Sequence, residues 1–159
     1  MSNEPALSIY LNDHLAGSII GFELATRAAN NNKGTPMGTF LAQLARDIEQ
    51  DRRTLEELMS QLGIQKSAVK GAVAWVAEKM GRLKLNGQIA GYSDLSRLEE
   101  LEGLSLGVEG KLTLWRNLIT VRAKYPPLED ANLEELVARA KDQRAQLERA
   151  RREAVAAAL

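Results

Sequence analysis

The stretch from Pro36 to Gly63 constrains this chain most. Leu41, Leu44, Ile48, Leu55, Leu58 and Leu62 recur at intervals of three, four or seven residues, which gathers them on one face of a helix. Thr35 before Pro36 has the form of an N-cap with proline at the first helical position, and Gly63 that of a closing residue free to take a left-handed backbone. Between these limits a helix of about 27 residues spans roughly 40 Å, a length suited to a bundle. One residue interrupts the seam. Asp51 stands three after Ile48 and four before Leu55, where a carboxylate needs a partner, a ligand or a way to water.

The rest of the chain fits that scale. A length of 159 residues predicts one helical domain over 1–159, burying roughly two-thirds of the surface of the unfolded chain. The 21 basic and 21 acidic residues cancel, so no net field draws the whole protein to nucleic acid, which makes such a partner unfavoured. With no cysteine, disulfides, thiolate metal sites and cysteine nucleophiles are excluded, and a single histidine removes most zinc and haem arrangements. The opening MSNEPALSIY has no basic run ahead of an apolar core, and no window holds the roughly 18 apolar residues of a membrane span. A soluble, cytoplasmic protein without membrane contact is the expectation.

Leu7, Leu11, Leu15, Ser18, Phe22, Ala25 and Ala29 predict a first helix from Pro5 or Ser8 to Asn30, stopped by Asn30 to Gly34. A third helix follows Ser67, with Val69, Val73, Val76, Met80 and Leu83 on one side and Trp75 packed beside them, although Gly71 and Gly81 weaken it. Asn86 to Ser93 reads as a connecting loop. The fourth helix starts near Asp94 or Ser96, where Ser96 and Glu99 have capping-box spacing, and carries Leu98, Leu101, Ser105, Val108, Leu112, Trp115 and Ile119. Gly103, Gly107 and Gly110 within it predict a kink or a close helix crossing. Pro126 and Pro127 end it, and Asn132 with Glu135 offers a cap for a last helix bearing Leu133, Leu136, Val137, Ala140, Leu147 and Ala154. No long window alternates with period two, so no sheet is predicted. The expected fold is all-α: an up-and-down four-helix bundle over about residues 5–123, with an additional C-terminal helix over about residues 131–158.

Over about residues 5–123, the four long helices and the Leu62–Gly63 ending of the second resemble the ferritin-like bundles. That resemblance implies inward carboxylates and a Glu-x-x-His ligand pair on each of two helices. The matching positions differ: Glu49 is followed three later by Arg52, Glu102 by Ser105 and Glu109 by Leu112. A guanidinium neutralises a carboxylate cluster where a histidine would ligate a metal. The remaining polar candidates are Asp13, His14, Asp47 and Asp51 for a degenerate metal site, and His14, Glu49, Asp51 and Arg52 for a polar network inside the bundle. Glu78 and Arg82 are spaced as an ordinary helix ion pair, and Trp75 and Trp115 as core residues.

These features predict a protein with no cofactor that leans away from catalysis and acts through protein association, with a homodimer favoured. The competing expectations are a metal-binding bundle using Asp13, His14, Asp47 and Asp51 with Glu78 or Glu109, and an adaptor for an acidic partner. The adaptor would use Arg139, Lys141, Arg144, Arg149, Arg151 and Arg152.

Overall fold

The helix α2 (Pro36–Gln61) begins and ends on side-chain and backbone chemistry written in its flanks. Thr35 Oγ1 accepts a hydrogen bond from the Gly38 amide at 3.1 Å while donating to the Asn32 carbonyl at 2.7 Å. Gly38 is obligatory in that turn, because a Cβ there would collide with the Asn32 carbonyl. At the other end Gly63 adopts a φ of 70°, and the amides of Gly63 and Ile64 return to the carbonyls of Ser60 and Met59. Those two bonds satisfy carbonyls that the helix end leaves open.

The computed structural model describes residues 4–67, 69–87 and 91–159, with backbone alone at 4 and 80–87. Its other helices are α1 (Glu4–Asn31), α3 (Val69–Gly87), α4 (Asp94–Val121) and α5 (Leu133–Ala158), with two short 3-10 turns between α4 and α5. No strand occurs among the described residues, and none of the described helices is long and apolar enough to cross a membrane. The cap of α4 differs by one turn from expectation. Ser93 is the N-cap and Ser96 reciprocates, since Ser96 sits at the third helical position, where its hydroxyl reaches back to the Ser93 amide. Asn132 precedes α5, but its amide donates to the Glu135 carboxylate and leaves the backbone uncapped.

Which helices share the interior differs from the expected grouping. One buried cluster joins Leu11 and Leu15 of α1, Leu55 to Met59 of α2, Leu112 to Leu118 of α4 and Leu133 to Ala140 of α5. The second joins Ala25 and Ala28, Leu41 to Ile48, Leu98 to Val108, and Leu147 to Ala154 of the same four helices. The C-terminal helix is therefore a full wall of the core, and α3 is the outlier. Length and pattern explain this: α1, α2, α4 and α5 have 26 to 28 residues, whereas α3 has 19 and fully buries only Ala72 among its described side chains. Val69 and Val76 are half-buried, Val73 and Trp75 are exposed, and the side chains of Met80, Arg82 and Leu83 lie outside the described residues.

The clusters also give the helix directions. The start of α1 meets the end of α2, the end of α4 and the start of α5, so α1 and α5 run one way and α2 and α4 the other. Alternation along α1, α2, α3 and α4 gives α2 and α4 this shared direction. Their shared direction obliges the segment carrying α3 to return along the length of the core. Two buried asparagines, Asn12 on α1 and Asn32 in the turn just after it, hold both ends of that return. Asn12 donates to the Gln65 carbonyl and accepts from the Ser67 amide at 3.0 and 2.8 Å. Asn32 donates to Tyr92 Oη and accepts from Arg97 Nε at 2.9 and 2.7 Å. Next to it Glu100, buried at the start of α4, accepts from Arg27, Asn31 and Tyr92. Burial, with the Glu100 charge acting in the same direction, raises the Tyr92 hydroxyl pKa.

Candidate functional site

Between the two apolar clusters lies a polar layer built by one residue from each of three helices. Asp51 follows Ile48 by three and precedes Leu55 by four; Lys111 has the same relation to Val108 and Trp115, and Gln143 to Ala140 and Leu147. Each therefore points inward from an otherwise apolar stripe. Asp51 is 4 % exposed, and its Oδ2 accepts from Lys111 Nζ at 2.6 Å while Oδ1 accepts from the Arg139 guanidinium. Lys111 donates a second hydrogen bond to Gln143 Oε1. Burial pushes the Lys111 ammonium below its ordinary range, opposed by the charge and hydrogen bond of Asp51.

A carboxylate held between two cations meets the requirement that a buried charge be paired. It also leaves the triad of Asp51, Lys111 and Arg139 with one positive charge more than negative, softened by the field of half-buried Asp47. Among the described residues, three buried N–H groups in and beside this layer have no acceptor: Trp115 Nε1, Arg139 Nε and Gln143 Nε2. The interior is short of acceptors.

Beside the layer, α1, α2 and α4 enclose a cleft of about 280 Å³. Its floor includes Ile48, Leu55, Leu104, Val108 and Trp115, with Asp51 and Lys111 among them, and His14, Ser18, Asp13 and Arg52 stand along its sides. Glycines form much of the walls: Gly17 and Gly21 on α1, Gly103, Gly107 and Gly110 on α4. At four of these a Cβ would meet nothing within 4 Å, so close helix contact does not explain them; Gly103 alone has a neighbour that near, the Leu24 side chain at 3.1 Å. Each interior glycine costs a helix roughly 1 kcal/mol relative to alanine. What they leave is room.

The residues singled out in the sequence fall in three places. Asp13, His14, Asp51 and Arg52 line the cleft together. Arg52 pairs along its own helix with Glu49 at 2.7 Å and Glu56 at 3.7 Å, and Asp47 accepts from Gln43 at 2.8 Å on the outer side of α2. His14 stacks edge-on against Tyr10, with ring centroids 4.6 Å apart, and burial lowers its pKa against the pull of Asp13, which favours the neutral ring. Among the described residues no three carboxylate or histidine side chains converge closely enough to hold a metal ion. Trp115 is buried in the core as its spacing predicts, but Trp75 is 46 % exposed with Lys79 over its ring at 5.6 Å. Along α5, Arg139 is taken by Asp51, Arg144 by Glu109, and Arg151 and Arg152 by Glu148.

Sequence reading missed Lys111, Gln143 and the inward role of Arg139. The signal for the first two was present, as the same three-and-four spacing that marked Asp51. No family model, curated protein or solved structure matches this chain.

Proposed function

We propose that this protein is a non-catalytic binding bundle of ferritin-like shape whose mid-core cleft takes a small apolar molecule. The observation that carries the reading is the glycine-walled cleft of about 280 Å³, opening between the two hairpins α1–α2 and α4–α5 at the polar layer. Bundles build ligand sites from side chains on facing helices, and this volume is about twice the roughly 150 Å³ of an apolar cavity that binds benzene. Two antiparallel hairpins joined by a single long crossover support the ferritin-like description. The side chains around the cleft favour binding over chemistry. Asp51 commits both oxygens to cations, and Ser18 gives its proton to the Leu15 carbonyl at 2.6 Å, so neither stands as an activated base or nucleophile.

Titration of 15N-labelled protein with 1-octanol tests this. Amide shifts are expected to concentrate at residues 17, 21, 103, 107 and 110 and to vanish in Gly107→Leu, whose side chain fills the open space. Shifts that are absent, or scattered over the surface, overturn the reading.

A second reading, association with another copy of the chain, rests on a separate observation. Trp75 and Val73 are both exposed on α3, which fully buries only Ala72 among its described side chains. Aromatic residues in such positions are enriched at protein interfaces.

A further inference from the structure

Resting on the cleft as a binding site, we propose that its occupant is a small apolar monocarboxylate, its chain along the glycine walls and its carboxylate at Lys111 and Trp115. The floor and walls are apolar over most of their extent, which selects an apolar body. From Gly103 to Gly110 the wall covers about 10 Å of helix, which sets the reach of a chain laid along it.

The head group follows from the interior's unmet needs. An ammonium carries three protons, and those of Lys111 have two acceptors, Asp51 and Gln143. Trp115 lines the same cleft, is 1 % exposed, and its indole N–H has no acceptor among the described residues. A carboxylate supplies acceptors for both and offsets the positive charge left over in the triad of Asp51, Lys111 and Arg139. A hydroxyl can accept as well but brings no charge. The other ionisable groups along the cleft do not reverse this preference. Arg52 is satisfied by Glu49 and Glu56, burial holds His14 toward its neutral form, and Asp13 stands at the exposed edge, where water and salt screen it.

Octanoate and 1-octanol are the probes, each titrated into the full chain carrying Trp75→Phe so that Trp115 is the only tryptophan reporting by fluorescence. Both should give a saturable change, with octanoate at least tenfold tighter. Lys111→Met should bring the two to parity, and Gly107→Leu should remove both. Equal affinity of the two probes in protein with Lys111 intact, or a preference for octanoate that survives Lys111→Met, overturns the carboxylate assignment and leaves the cleft standing as a site. No response to either probe overturns both.

Discussion

Asp51 shows how much a single spacing conveys. Its place on the α2 stripe requires that the carboxylate be compensated, and it is, by Lys111 and Arg139. Arg52, the nearest cation in sequence, turns instead to Glu49, because consecutive residues on a helix point about 100° apart and cannot share one inward position. Removing one member of a buried pair leaves the others uncompensated at a cost of roughly 3–5 kcal/mol, and the partial exposure of Lys111 and Arg139 puts the expectation at the lower end. Asp51→Ala should therefore lower the unfolding free energy by about 3 kcal/mol in urea titration. A variant combining Asp51→Leu with Lys111→Met and Arg139→Met should recover most of that loss. If the single and triple variants are equally destabilised, the triad is not what holds this position.

At the scale of elements, four helix boundaries follow local chemistry closely: Asn31 and Gly34 at the end of α1, Thr35 and Pro36 at the start of α2, Gly63 at its end, and Ser93 before α4. Caps and left-handed glycines are determined by a few neighbouring residues, so they are legible without the fold. The value of an element to the core is not. The stripe of Leu133, Leu136, Ala140, Leu147 and Ala154 on α5 was legible, but not that Gln143 and Ala150 complete it and that it packs along α4 as a wall of the core. The valines of α3 promised more burial than Ala72 delivers. With little apolar anchoring among its described side chains, α3 depends on buried Asn12 and Asn32 at either end of the crossover. Its amides are expected to exchange with solvent faster than those of α2 by orders of magnitude. Asn12→Ala should speed exchange in α3 by roughly a further tenfold, the equivalent of about 1.4 kcal/mol, while sparing the centre of α2. Uniform acceleration across all helices would show that Asn12 supports the whole fold and not the crossover.

For the whole molecule, the consequence of the polar layer is a core in two halves with a cleft between them. The hairpins α1–α2 and α4–α5 pack extensively within themselves and more sparingly across the α1–α4 seam, and the cleft opens along that seam. Val73 and Trp75, exposed on α3, lie away from the residues that line the cleft. If a second copy covers Trp75 and Val73, sedimentation velocity should show a dimer that Trp75→Ser dissociates without shifting the thermal unfolding of the chain at low concentration. A monomer across the accessible concentration range would remove the self-association reading and leave the cleft untouched.

By itself the sequence determined the all-helical class, both ends of α2 and the need for a compensated charge at Asp51, because periodicity, capping and the cost of burying a carboxylate act over one or two helical turns. The tertiary structure alone decided that α5 is a wall of the core while α3 buries only Ala72 among its described side chains, and that Lys111, Arg139 and Gln143 gather at Asp51. These depend on which stripes are long enough to pair along their whole length, and on residues 32 to 88 positions apart in the chain being brought into hydrogen-bond contact at one level of the core. The three glycines that predicted a kink or a close crossing in α4 became, together with Gly17 and Gly21 of α1, the walls of a cleft.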